Sequence, residues 1–500
     1  MLSRASIRSS PSYKWWVFGC VAVGIYMAVL DGSIVNVALP AIADTFSISL
    51  SAIQWVVIAY LMAISIFLLP LGRLADRVGR KPIYLIGFVT FVVGSMLSGI
   101  APDIVSLSLA RVLQAIGGAS LQATGISIAT AAFPANERGR ALGMIATVVA
   151  QGAITGPTVG GVIVDGAGWR WIFFINAPIG AVGLFLATTI LRDDRAEARA
   201  ANGAARGFDW LGSILSGGAL VLLLLALTKV SQWGWGSPLT LGCLGGAVAL
   251  GAAFLRAERR PDPMIELKIF KVQAFSAGVF ASFCQFTAMA AFGLLLPFYL
   301  QRVLGYSARS AGLMLLPFPF MLAIFGPLCG RLSEKVSVRL LASAGLLVAG
   351  TGLLGCAFLG TNSGLGQVMF WQVVIGIGMG SFGPPNNNAI FSSIPRSAYG
   401  VTAAVTTLAR NLGQTIGVAV ATLVVAAAMT HAGYAPQLSA SSADDSPGSL
   451  SAFATGMHYA FYLAAGLSLI AMFASLIRGP RHMANDEAAS APAATSATRA

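Results

Sequence analysis

Charge is what this 500-residue chain has least of: Asp, Glu, Lys and Arg together make up 10% of it, against about 25% in ordinary soluble domains. None of its six lysines follows a glycine, which excludes a Walker A phosphate loop. With no soluble nucleotide domain in view, an ATP-driven pump is excluded as well. Cysteine is equally sparse. Cys20, Cys243, Cys284, Cys329 and Cys356 are odd in number and none are at metal-ligand spacing, so they read as small packing residues. No metal and no other cofactor is expected, and nothing points to an enzyme. What fills the chain instead is apolar: 56% of residues are hydrophobic, in recurrent runs long enough to cross a bilayer as helices. A soluble protein is excluded, and an all-α polytopic membrane protein is expected.

Fourteen spans are expected, at roughly 15–39, 54–71, 82–101, 104–126, 141–164, 171–191, 209–228, 238–255, 274–299, 309–329, 339–359, 366–394, 402–428 and 455–477. With the N-terminus inside, 25 basic residues fall on the inner side and four, Arg170, Lys229, Arg302 and Arg309, on the outer. Arg111 and Arg410 lie within or at the edge of spans. This is the positive-inside pattern, so both termini are expected in the cytoplasm of a cell whose inner membrane holds the chain. The net charge of +13 then reports topology, not nucleic acid. The N-terminus mimics a signal peptide, but its apolar stretch is long and no small-residue cleavage site follows, so an uncleaved first helix is expected. The arginine-rich basic set is associated with a GC-rich bacterial genome.

The chain repeats itself. "GRLADRVGRK" (72–81) is answered by "GRLSEKVSVR" (330–339) at an offset of 258, and "ALP" (38–40) by "LLP" (295–297) at 257. Spans 1–6 and 9–14 are therefore two copies of a six-helix unit, with spans 7 and 8 inserted. The expected organisation is a tail at 1–14, a first six-helix bundle at 15–191, inserted helices 7 and 8 with their loops at 192–273, a second bundle at 274–477, and a low-complexity, disordered tail at 478–500. Such tandem halves place a substrate cavity at the midplane between them.

Asp31, in "AVLDGSIVNVALP" (28–40), is the one acid well inside a span, where a carboxylate costs roughly 2.5–3.5 kcal/mol. The repeat carries it onto Ala288 or Met289, so the bundle does not need an acid there merely to form. Span 1 runs outward and span 4 inward, which puts Asp31 about 12 Å and Arg111 about 10 Å below the outer side at 1.5 Å per residue. The two charges are matched in depth and suited to pair, either to carry a proton or simply to hold two helices. Gly152, Gly156, Pro157, Gly160 and Gly161 allow close helix approach and a kink. Uncharged polar groups within spans are candidates to line the cavity: Asn36, Gln54, Tyr60, Gln114, Gln151, Asn176, Gln285, Gln372, Asn386 and Asn387, with Asn388 beside them. Trp15, Trp16, Trp55, Trp171, Trp210 and Trp235 near span ends read as an interfacial belt. Arg410 reads as a side chain snorkelling to the headgroups.

"GRLADRVGRK", "RVLQAIGGAS" (111–120), "GAITGPTVGG" (152–161), "LDGSIVNVALP" and "WRWIFFINAPIG" (169–180) together resemble the major facilitator superfamily, in its fourteen-span drug:proton antiporter branch of the EmrB/QacA type. The second loop departs from the pattern at Ser337 and Val338. The resemblance implies the major facilitator fold, a proton-coupling role for Arg111, and export in place of import from the glycine motif. It also implies an inner gate latched by Gly72, Arg73, Asp76, Arg77, Gly79 and Arg80, with "PANERGRA" (134–141) in the same network.

The expected function is exchange of external protons for hydrophobic, monovalent cationic compounds by alternating access, a multidrug efflux that confers antibiotic resistance. Proton and cation would compete for Asp31. Two alternatives stand: a proton-coupled exporter of a neutral or anionic natural product, and a non-transporting receptor or scaffold. The expected partners are small cationic substrates, protons and lipid, with a periplasmic adaptor possible and the monomer functional.

Overall fold

A backbone buried in lipid must satisfy its own N–H and C=O groups, and the helix does so within one segment. In the computed structural model all regular structure among the described residues is helical. These residues are 12–134, 137–194, 210–234, 236–258, 267–333, 335–394, 399–435 and 447–477. Residues 1–11, 195–209, 235, 259–266, 334, 395–398, 436–446 and 478–500 lie outside them, as do Ala135 and Asn136 of "PANERGRA" and the side chains of Asp76, Arg138, Arg140, Ala141 and Trp210.

The first half comprises α1 (Tyr13–Phe46), α2 (Leu50–Val78), α3 (Arg80–Ile100), α4 (Ile104–Ala132), α5 (Arg138–Ala167), the short α6 (Trp171–Phe174) and α7 (Asn176–Ile190). Next come α8 (Trp210–Trp233) and α9 (Pro238–Ala257). The second half comprises α10 (Gln273–Phe298), a π-helical turn (Tyr299–Val303), α11 (Ala308–Met314), α12 (Pro317–Leu332), α13 (Val338–Cys356), α14 (Leu365–Ser392), α15 (Tyr399–His431) and α16 (Pro447–Leu476).

Among the described residues, twelve helices are long and apolar enough to cross a membrane. This corrects the expected fourteen. The expected span 7 falls on α8, of which Leu211–Leu227 is the described apolar stretch. The expected span 5 falls on α5, of which only 151–167 is described without interruption. The "GRLADRVGRK" segment is also more helical than a loop. α2 continues to Val78, Gly79 turns the chain at φ 106°, and Arg80 opens α3. Asp194 closes that turn by accepting from the N–H groups of Arg80 (2.7 Å) and Lys81 (3.2 Å), the favourable placement of an anion at a helix N-terminus.

The two halves pack alike. A Cβ on Gly117 would strike the backbone of Phe91 and Gly87, and one on Gly378 would strike Ala349 and Gly345. The α3–α4 and α13–α14 contacts are thus the same close approach made twice. This equivalence sets Arg111 of α4 opposite Gln372 of α14, each at the eighth position of its helix. Likewise Gly152 and Gly156 of α5 pack on α1, as Gly413 and Gly417 of α15 pack on α10. α8 lies against α2 and α15, one helix from each half.

The halves meet chiefly at one end, the far face, opposite the face that holds Tyr13 and Leu476. There the largest apolar cluster contains Ile34, Ile42 and Ile58 of the first half with Leu295, Leu300 and Val425 of the second. None of the remaining apolar clusters joins the two halves; one of them takes in Phe254 of α9. Polar contacts reinforce the far face. Gln301 Nε2 donates to the Val37 carbonyl at 3.0 Å, and Arg302 donates to the Pro40 carbonyl at 3.4 Å and pairs with Asp44. The Arg309 N–H donates to Asp165 at 2.9 Å. Each of these runs from the second half to the first.

Candidate functional site

Asp31 lies midway along α1, and α4 brings Arg111 to it. α4 starts at Asp103, whose carboxylate accepts from the N–H groups of Ser106 and Val105, both at 2.9 Å. These bonds, the one from Ser106 foremost, hold that carboxyl below its usual range. The close α3–α4 approach then sets the rotation of α4, so that Arg111 and Gln114, one turn apart, face α1.

Arg111 Nη1 donates to Asp31 Oδ2 at 2.6 Å and to Gln114 Oε1 at 2.7 Å. Gln114 Nε2 and Asn176 Nδ2 donate to Asp31 Oδ1 at 2.8 and 3.0 Å. Arg111 Nε reaches the Val56 carbonyl at 3.4 Å, and its guanidinium lies 4.0 Å from the centroid of the Tyr60 ring, a cation–π arrangement. Asn176 also donates to Ser95, which donates to the Phe173 carbonyl. One carboxylate therefore ties α1 to α4 and α7, and its arginine partner adds α2. Asp31 is 0% exposed and Arg111 1%. A buried ion pair persists only when its remaining hydrogen-bonding capacity is met, and here both Asp31 oxygens are engaged. Next to the pair, the Tyr60 hydroxyl and Asn176 Oδ1 are buried with no partner among the described residues.

The expected cavity-lining groups divide. Gln114, Asn176 and Tyr60 belong to the Asp31 network. Gln285 (bonded to Met379 and Ser468), Gln372 (to the Met314 carbonyl) and Asn386 (to the Gly278 carbonyl and Ser282) are buried within their own half, whereas Gln54 (bonded to the Ser51 carbonyl) is buried at the boundary, beside Ala419, Thr422 and Ala426 of α15. Gln151 is exposed and lines a crevice of about 500 Å³ between α1, α5 and α7. Asn36 is half-buried where α1 meets Gly293 of α10, and Asn387 is exposed.

Among the glycine-motif residues, Gly152, Gly156 and Gly160 seat α5 on Val29–Ile34 of α1. Gly161 and Pro157 face Ala308–Gly312 of α11, across the boundary between halves. At the expected inner gate, Gly72 packs near Ala123, Arg73 and Arg77 are exposed, Gly79 forms the turn, and the Arg80 N–H is held by Asp194. Sequence reasoning missed the far-face set Asp44, Asp165, Gln301, Arg302 and Arg309. The available signal was that Arg302 and Arg309 are two of only four basic residues on their side of the membrane.

A model of the Major Facilitator Superfamily matches residues 21–418 and again 278–499, the second match starting at the offset that carries Pro40 to Pro297. The riboflavin transporter RibZ of Clostridioides difficile is 34% identical, over 84% of this chain and 90% of that protein. The multidrug resistance protein Stp of Mycobacterium tuberculosis is 35% identical, over 81% and 74%. In fold, a bacterial homologue of the human lysosomal transporter Spinster, solved in an inward-facing, unoccupied conformation, superposes with a TM-score of 0.67 at 19% identity, covering 94% of this chain and 98% of that one. The chain belongs to the Major Facilitator Superfamily. It is a multi-pass membrane transporter in a family whose relatives include proteins of drug resistance, and those relatives are transporters, not enzymes.

Proposed function

We propose that this transporter is a proton-coupled exporter of small organic compounds, of the drug:proton antiporter branch, in which Asp31 carries the proton without touching the cargo. The observation that carries this reading is the sealing of Asp31. A carboxylate with no exposure and both oxygens engaged is poorly placed to receive a cationic drug directly. That favours indirect coupling over the direct competition expected from sequence.

The coupling follows from connectivity. Ionised Asp31 holds α1 against α4 through Arg111. The same α1 carries Val37, Pro40 and Asp44, which close the far face against Gln301 and Arg302. Protonating Asp31 removes the attraction to Arg111 and leaves the guanidinium on the Tyr60 ring. Tyr60 and Asn176, with spare hydrogen-bonding capacity, are the groups able to re-pair around the neutral acid. α1 is then free to shift, and the far-face contacts open while the other end closes. Gly156 and Gly161 keep α5 tight against both α1 and α11, which restricts leak during that exchange. Termini in the cytoplasm and export of the cargo complete the reading, supported by the distribution of basic residues and by relatives such as Stp, a multidrug resistance protein.

The test is Asp31→Asn in proteoliposomes with an imposed pH gradient, using a panel of cationic, neutral and anionic dyes. The variant should insert normally and lose pH-driven movement of every dye the wild type moves. Undiminished movement at the same gradient would sink the coupling role of Asp31.

A further inference from the structure

With Asp31 sealed against Arg111, Arg410 is the further charge set well inside a span among the described residues. It lies eleven residues into α15, about 16 Å along the helix axis from Tyr399. Its guanidinium stands 5.6 Å from the centroid of the Phe286 ring. Among the described residues it has no carboxylate and no hydrogen-bond acceptor within bonding distance. The next residue, Asn411, is 5% exposed, and its Nδ2 has no partner.

Helix periodicity says where this group looks. On α10, Phe286 lies seven residues, two turns, before Gly293 and on the same face. Gly293 is where α10 meets Asn36 of α1 across the boundary between halves. On α1, Gly32 lies one turn from Asn36 on the same face, and a Cβ added there would meet nothing within 4 Å. The space between the halves thus begins just below the Asn36–Gly293 contact, and Phe286 and Arg410 look into it. The packing of Gly413 and Gly417 on α10 repeats that of Gly152 and Gly156 on α1, so Arg410 corresponds to Val149 and Phe286 to Val29. In the first half both positions are apolar and pack on one hydrophobic cluster. The fold therefore does not require an arginine at this point.

A guanidinium resting on an aromatic ring keeps its fork of N–H donors free, and that fork matches a carboxylate or another planar anionic group in bidentate fashion. The ring beneath offers a stacking surface. The way in is basic too: Arg73, Arg77, Arg331, Lys335 and Arg339 lie at the ends of α2, α12 and α13 on the face that holds the termini, and such a rim concentrates anions.

We propose that Arg410 and Phe286 form the anchoring point for the anionic group of an aromatic substrate, so that the cargo is an amphipathic organic anion and not a hydrophobic cation. This rests on the exporter reading above for its transport role, but the binding claim stands on a separate measurement.

Binding of carboxyfluorescein to the purified full-length protein, followed by fluorescence anisotropy, tests it, with a cationic rhodamine ester of similar ring system as the control. The wild type should bind the anionic dye at least tenfold tighter than the cationic one. Arg410→Gln should weaken the anion at least tenfold, Arg410→Lys less, and Phe286→Leu about threefold. Equal affinity of Arg410→Gln and wild type for the anion, a wild-type preference for the cation, or no binding of the anion overturns the proposal. Normal thermal melting of Arg410→Lys guards against a folding artefact. Anion binding that depends on Arg410, together with transport indifferent to Asp31, would overturn the coupling reading alone. Asp31-dependent movement of the cationic dye, with no effect of Arg410, would overturn this one alone.

Discussion

The two halves of the molecule share a backbone and divide their chemistry. In the first, α1 and α4 bury a carboxylate and a guanidinium against each other. At the equivalent places the second has Ala288 and Gln372, and Gln372 does no more than donate to the Met314 carbonyl at 2.8 Å. Conversely, the second half holds an arginine over a phenyl ring where the first has Val149 and Val29. The repeated glycine contacts show that neither charge is needed for helix packing. Each half thus keeps one charged feature that its copy lacks, and that asymmetry is what separates a symmetric scaffold from a working transporter.

The comparison can be broken most sharply at Arg111. Arg111→Leu leaves Asp31 buried without its partner and should destabilise the protein by about 3–5 kcal/mol, read as thermal unfolding in detergent. The equivalent Gln372→Leu should cost only about 1 kcal/mol. Similar losses at the two positions would mean the pair is no more than an ordinary packing contact.

The symmetry itself is open to a smaller perturbation. Gly117→Val and Gly378→Val each push a branched side chain into a facing backbone, and overpacking of this kind costs about 1–3 kcal/mol. Their melting shifts should agree closely. A large difference would show that the two close approaches are not equivalent, and the pairing of Arg111 with Gln372 would fall with them.

The smallest effect is expected at the far face. Asp44→Asn weakens a partly exposed ion pair, which contributes about 0–1 kcal/mol, so the opened population should rise by no more than about fivefold. A cysteine placed at Asn36, in a variant stripped of the five native cysteines, would report this as faster alkylation by an impermeant maleimide added from that face. An unchanged rate would assign the closure to the apolar cluster alone.

Much of the site was legible in the sequence. Asp31 stood out because an acid in a span is costly, and counting residues from the span ends matched its depth to Arg111. The offset from Pro40 to Pro297 located the duplication. What depth-counting does not deliver is rotation about each helix axis. Gln114 and Asn176 were grouped with the cavity, yet they face Asp31, and Gln372 and Asn386 bond within their own bundle. A polar side chain in a span is certain to avoid lipid, but whether it turns to a neighbour or to the central space depends on packing that glycines such as Gly94 and Gly117 decide. Arg410 was misplaced for the same reason. Snorkelling suits a long cation near a helix end, whereas the aromatic face that holds this one belongs to a helix more than a hundred residues earlier.

By itself the sequence determined that the chain lives in a membrane as helices, that it is built twice over, and that one acid in its spans has no twin. Those conclusions follow from burial costs and periodicity, which act residue by residue along the chain. Only the tertiary structure decided that Asp31 is sealed, that one end of the molecule is shut by both halves, and that Arg410 is left looking into the space between them. These depend on which faces of distant helices meet, and a turn of one residue, about 100° about a helix axis, is enough to exchange a buried partner for an open one.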